Sequence, residues 1–466
     1  EPALPATKAL GAWEEIEDIP GLDIGMLPLF CNSMISFKYI QDGDISGLAA
    51  YIAWTLKKVG GLGVKVVNPG GTYAWAYGKN VCGLDDEVPE WDVTPRTIMT
   101  GISEAVQELG LPHQMHFHPT NLGKPGNVYT TMQQLDCLKG TKPSGKKKET
   151  VHLTHMAFDC LGVVEEGMAN WKDVASGGLT FANYYNKNKH FTADLGQITF
   201  GQSMTMTGDG PFQHSLYMMS GGKAKWSNIP VDVELPGGAG IVPFIFDPKS
   251  PENAVQWVGS LEFALSIKDL WRVFLSTDHP NGGPFLKYPL LISWLMSKKQ
   301  RELWLEKVHK FACERSTIAE IEREYSLYEI ALTTRAAPAK ILGLEKTKGH
   351  LGIGADADIA VYGFNPEKTN LANNPDLILK HFTQTQFTFK GGQQVTKNGV
   401  VGKQLHSRVL SVHPELNEDL SQRIDSELKE MMSKWFSHSF SNYPVPKRYR
   451  EHLEIPTIID STSIQA

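Results

Sequence analysis

Lys65, His116, His118, His155 and Asp278 are of the types, and have the spacing, that hold a metal and move a proton. Asp278 ends the run Val273-Phe274-Leu275-Ser276-Thr277, and Pro280, Asn281, Gly282, Gly283 and Pro284 then prevent any strand from continuing. An acid there either caps a turn or, at the C-terminal tip of a buried strand in a β/α barrel, stands where catalytic groups gather. His116 and His118 are two apart in QMHFH, so one face of a strand carries both. His155 closes VHLTH. Imidazole and carboxylate are ordinary zinc ligands.

Lys65 lies inside the apolar run VKVV. A lysine in such a place is paired, snorkels to an edge, or is modified. Addition of CO₂ to its neutral amine would give a carboxylate long enough to bridge two metals. Each of these signals is weak alone. Together, in order on successive parallel strands, they converge on one spot and can hold Zn²⁺. The spacing does not choose between His116 and His118, although His118 is nearer the strand end. His113, His152 and His279 read as structural or supporting. Asn68, Asn121, His279 and Asn281 follow the strands and are candidates for a substrate-pocket wall.

The elements that must position these groups alternate. Apolar strands are expected at 25–31, 64–67, 114–118, 151–156, 191–200 and 272–278. Helices are expected at 44–58, 94–110, 127–138, 167–187, 253–267, 288–296, 299–313 and 326–342, several with a recognisable start. Thr94-Pro95 and the Ser326/Glu329 capping box are examples. Strands VDVEL (231–235) and GIVPFIF (240–246) flank a Gly-rich turn. Strands apolar on both faces and joined through helices belong to a parallel sheet covered on both sides. No Gly-rich dinucleotide loop follows the first strand, which favours a (β/α)8 TIM-like barrel over an open sheet. Six strands of a nominal eight are legible, and the shortfall is placed before Glu1, as if the first strands were missing. Residues 1–345 are thus read as an N-terminally truncated barrel.

After Gly349 the texture turns Gly/Asp-rich and then β-alternating, with a hairpin around Asn398-Gly399. Residues 346–404 are read as the C-terminal part of a small β-sandwich. Residues 405–466, with a helix at 420–435, are read as an extension packing on the body or on a partner.

Bulk composition narrows the function. The 466 residues are 41% hydrophobic with a net charge of −6, which gives no electrostatic basis for nucleic-acid binding. No apolar run approaches the roughly 20 residues of a membrane span. The 5 cysteines are scattered and form no CxxC pair, pointing to a reducing, cytoplasmic setting without a cluster or disulfide frame on this chain.

Lys, His, His and Asp on successive barrel strands resemble the metal-dependent amidohydrolase superfamily, and GHLGIGADADIAVY resembles its return into a β-sandwich. VKVVNPGGTYAW, HFHPTNLGKPGN, DLGQITFGQSMTMTGDGP, AVQWVGSLEFALSIKDLWRVFLSTDHPNGGPF and SWLMSKK are similar to the A subunits of formylmethanofuran dehydrogenases and of the related formyltransferase/hydrolase complexes. The resemblance spans about residues 15 to 400. It implies two zinc ions bridged by carboxylated Lys65, with His118 or His116 and His155 as ligands, and Asp278 as ligand and proton shuttle. It implies reversible condensation of formate with the amine of methanofuran. Tungsten or molybdenum pterin and iron–sulfur clusters are then expected only on partner subunits. Two departures stand out. The family's first-strand His-x-His pair is absent, and Asp159 replaces a histidine that often follows the sixth-strand ligand.

Overall fold

The structure, a computed structural model, describes residues 3–4, 6–145, 147–165, 170–222, 240–406, 408–436, 439–446, 448–449 and 457–459. Its centre is a run of short parallel strands: β1 (Ala3–Leu4), β2 (Leu27–Pro28), β3 (Lys65–Val67), β4 (Met115–His118), β5 (Val151–Leu153), β6 (Phe191–Asp194) and β7 (Val273–Phe274). Strand β1 pairs with β2, Leu29 just beyond β2 bridges to Lys65, and β3 to β7 follow in sequence order. Parallel neighbours need a crossover, and helices supply it.

Helix Ile45–Val59 connects β2 to β3. The Asp44 side chain accepts from Gly47 N at its start, and Gly60, at φ +72°, ends it. It is buried on nearly all sides, and helix Glu418–Trp435 covers its outer face, where Trp54 Nε1 donates to Asp425; Tyr39 of the preceding helix Met34–Gln41 donates to Glu427. Helix Pro95–Glu108 leads from β3 to β4, begun by Thr94 with Pro95 in its first turn. Helices Asn127–Cys137 and Gly178–Lys187 lead to β5 and β6. Helix Pro251–Ser266 precedes β7 and buries Trp257, Leu261 and Phe263.

Strands β5, β6 and β7 end earlier than their apolar runs. Strand β5 stops at Leu153, and His155 lies beyond it with φ +41°. Strand β6 stops at Asp194. Gly196 then turns with φ +51°, so close to His155 that an added Cβ would lie 2.3 Å from the His155 Cβ. Only glycine fits that approach. The following Gly201–Thr207 forms an antiparallel ribbon with Gly240–Phe246. The expected strand VDVEL lies outside the described residues.

The helix expected over 326–342 is interrupted. Leu327–Ala331 passes into a π turn, Leu332–Ala336, before Ala337–Ile341. The Ala337 N–H reaches Leu332 O, and Pro338 has no N–H to offer Thr333 O. The Thr333 carbonyl instead accepts from Leu275 N at 3.0 Å, pinning the segment that carries Ser276 to Asp278. The helix expected over 299–313 likewise divides, into Lys298–Leu305 and Phe311–Glu314.

Two small sheets flank the body. Ile359–Val361, Phe387–Lys390, Gln393–Lys397 and Val400–Val401 form an antiparallel meander, turning at Asn398-Gly399 with both φ positive. Asp23–Gly25, Arg408–Val412 and Thr457–Ile459 form a parallel sheet. Asp23 ties the two together by accepting from Lys390 Nζ at 2.6 Å and Arg408 Nε at 2.9 Å.

Candidate metal centre

Alternation along a strand sends every second side chain to one face. Registers align Lys65 with His116, Val67 with His118, His116 with His152, and Asp194 with Phe274. Leu27, Leu29, Lys65, Val67, His116, His118, Thr154, Asp194, Phe274, Ser276 and Asp278 share that parity, and all line one cavity of about 2610 Å³. The sheet is therefore concave; Lys65 opens β3, whereas His118, Thr154, Asp194, Ser276 and Asp278 lie at or beyond the C-terminal strand ends. There Asn68, Asn121, His155 and Asp278 each take a positive φ just after β3, β4, β5 and β7. Left-handed backbone is uncommon for residues with a Cβ and tends to gather at functional turns.

His118 and His155 meet at this mouth. The Nδ1 of His118 is 3.0 Å from Nε2 of His155. The other ring nitrogen of His118, Nε2, is 3.0 Å from Asp209 Oδ2. Asp209 Oδ1 accepts from Asn68 Nδ2 at 2.9 Å and from Phe212 N at 3.1 Å, so the same carboxylate caps helix Gly210–Met219. Burial holds the His118 imidazole below its usual range despite Asp209. Burial drives His155 well below it, helped by His118, Lys65 and His116. Both rings are thus neutral near pH 7, the form that binds a metal.

A second group lies one step deeper. His116, His152 and Asp194 are buried and offer ligand atoms within 4.8 Å of one another. His152 Nδ1 stands 2.8 Å from Thr192 Oγ1, and its Nε2 stands 3.2 Å from Asp194 Oδ2. Ser276 Oγ donates to the other oxygen of Asp194. The His152 ring stacks on Phe274 at 5.0 Å. Lys65, only 6% exposed, shares the strand register of His116.

Asp278 stands at the cavity wall with Asn281, whose Nδ2 donates to Asp278 Oδ2 at 3.0 Å. Asn281 Oδ1 accepts from Met206 N at 2.6 Å, joining this turn to the ribbon. His279 also lines the cavity and stacks on Phe285. Asn68 and Asn121, expected at the pocket wall, stand outside that lining. Asn68 serves Asp209, and Asn121 accepts from Lys124 Nζ at 3.3 Å. Asp159 lies behind His155, its Oδ2 3.8 Å from His155 Nδ1 without a hydrogen bond. Burial, with Asp194 and Asp278 nearby, pushes the Asp159 carboxyl well above its usual range.

Reading the sequence alone overlooked Asp194, Asp209 and the contact of His152 with its neighbours. Asp194 carried a usable signal, being an acid at the end of the buried run FTAD, as Asp278 is of its own. Asp209 in GDGPF signals only a helix cap; nothing local points to His118, 91 positions away.

The donor set suits a metal. It is imidazole and carboxylate, buried, with the His118 and His155 rings neutral and His155 Nδ1 lacking a hydrogen bond. The amidohydrolase family matches residues 25–396, and the chain belongs to that family, with its β/α-barrel fold. It is an amidohydrolase-type enzyme, and its relatives are more specific. It is 44% identical to Protein FwdA of Methanocaldococcus jannaschii, the A subunit of a formylmethanofuran dehydrogenase, over all of this chain and 80% of that protein. It is 33% identical to the A subunit of the formyltransferase/hydrolase complex Fhc of Methylorubrum extorquens, over 96% of this chain and 77% of that protein. The crystal structure of the FhcABCD complex from Methylorubrum extorquens with methylofuran matches with a TM-score of 0.87 at 30% identity, over 100% of this chain and 80% of that chain. Among the described residues, no helix is long and apolar enough to cross a membrane.

Proposed function

We propose that this chain is the amidohydrolase-type component of a formylmethanofuran dehydrogenase complex, condensing formate with the amine of methanofuran to give N-formylmethanofuran and water, reversibly. The observation that carries the reading is that Lys65, His118, His155 and Asp278 line one cavity, with His118 and His155 in contact. The 44% identity to FwdA supplies the substrate class.

In this reading His118, His155, Asp278 and a carboxylated Lys65 would hold two zinc ions, supported by the buried group His116, His152 and Asp194. When bound, such a pair polarises the formyl oxygen and makes water acidic enough to attack near neutral pH. The chain's own residues do the rest. In the hydrolytic direction Asp278 takes the proton of the attacking water and delivers it to the leaving amine. Asn281 holds the carboxylate of Asp278 through Oδ2. His279 and Asn281 form wall where the amide is seated. In condensation the same proton travels the other way. Formate would come from CO₂ reduced at a pterin–tungsten or pterin–molybdenum site on a partner protein of the complex. The same reading divides the chain into barrel (1–345), β-sandwich part (346–404) and extension (405–466), in the cytoplasm.

The 33% identity to the Fhc protein favours a second reading, in which the complex only hydrolyses the formamide and releases formate. Purifying the complex and assaying both directions separates them: CO₂-dependent formylation supports the first, and formamide hydrolysis without any reduction supports the second. Activity unaffected by Asp278→Asn would sink both.

A further inference from the structure

We propose that Asp209 is a positioning residue that sets the tautomer of His118. An ionised carboxylate only accepts hydrogen bonds. Asp209 Oδ2 faces His118 Nε2 at 3.0 Å, so Nε2 carries a proton and donates it to that oxygen. The lone pair is then on Nδ1, the nitrogen aimed at His155 and the mouth of the barrel. A carboxylate behind a ligating imidazole fixes its orientation and raises its basicity.

The carboxylate is itself held. Its Oδ1 receives two N–H groups that can only donate, Asn68 Nδ2 and Phe212 N. Asn68 reaches it from a left-handed turn just after β3, where its own N–H donates to His118 O at 3.0 Å. Residue 209 is almost fully buried, so water does not compete for these bonds. The inference rests on the reading of His118 and His155 as metal ligands.

The consequence is specific. In Asp209→Asn, the two donors at Oδ1 keep the amide oxygen in that place and turn the NH₂ toward His118 Nε2. His118 must then accept at Nε2 and carry its proton on Nδ1, which removes the lone pair from the ligand position. The helix cap survives, because asparagine caps as well as aspartate. In Asp209→Ser the cap also survives, but the short hydroxyl no longer reaches the ring, and the tautomer is left free.

The test is zinc affinity of the purified complex, by competition with a chelator, with cobalt absorption spectra of the same variants. Asp209→Asn is expected to weaken zinc by about 10–100-fold and to change the cobalt spectrum, with Asp209→Ser falling between it and the wild type. A merely structural role gives the opposite order, since serine deletes more of the side chain. Wild-type affinity in Asp209→Asn, or a weaker Asp209→Ser, overturns the inference alone. A wild-type complex that binds no zinc overturns the functional reading and this inference with it.

Discussion

His118 Nδ1 and His155 Nε2 lie 3.0 Å apart, although one side chain leaves a strand and the other a left-handed turn. Two neutral imidazole nitrogens at that separation share one proton or one cation. His155→Ala should therefore lower zinc affinity on the order of 100-fold or more, beyond the roughly 10–100-fold cost of losing a supporting partner. Chelator competition on the purified complex reads this directly. Undiminished zinc binding would exclude His155 as a ligand.

Asp278 is assigned the proton. Asp278→Asn should lower kcat for formamide hydrolysis by about 10²–10⁴-fold, the usual worth of a positioned acid–base group. Asn281→Ala should cost roughly tenfold, because it removes one charge-assisted bond that holds the carboxylate. Rates and metal content measured on the same preparations distinguish the two effects. Equal losses in both variants would mean that Asn281 acts on substrate instead of on Asp278.

Lys65 is expected to carry a carboxylate. Growth or incubation with carbon-13 bicarbonate should give a carbamate signal in the carbon-13 spectrum of the complex, absent in Lys65→Met. That variant should also lose metal. Full zinc content with no carbamate signal would leave Lys65 as an ordinary buried lysine.

The charge cluster between the two small sheets should set acid stability. Burial alone would raise the Asp23 carboxyl, but hydrogen bonds from Arg408, Lys348 and Lys390 overcome it and hold it well below its ordinary 3.8. Asp356 and Asp358 shift the same way. A carboxyl whose folded pKa is depressed contributes fully above its unfolded pKa and loses that contribution as pH falls through the folded one. Stability should thus be flat from neutrality to about pH 5 and fall below about pH 4. Asp23→Asn should cost about 1.5–3 kcal/mol at neutral pH and flatten the acid limb. Parallel acid limbs for the two proteins, in melts recorded across that range, would place the acid sensitivity elsewhere.

Much of this architecture could be read from residue order alone. Apolar runs alternating with capped helices announce a parallel sheet, because strands buried on both faces must be covered by helices. The five candidate ligands were legible because each interrupts or closes such a run. His116 and His118 could be assigned to one face because strand periodicity is local. What could not be read was anything set by residues distant in the chain. Strand β1 is two residues long and gains its identity only by pairing with β2. The π turn frees the Thr333 carbonyl for Leu275, a contact between segments 58 positions apart that no local pattern encodes.

Residue types and their order thus pointed to a lysine, histidines and an acid on successive strands, and all of them line one cavity. Only the tertiary structure decided how they meet. It turned His155 and Asp278 through left-handed backbone and pressed Gly196 against His155. It also brought Asp209, by sequence no more than a helix cap, behind His118. The physical reason is that burial makes each hydrogen bond obligatory, and the partner that satisfies it is chosen by folding, not by nearness in the chain.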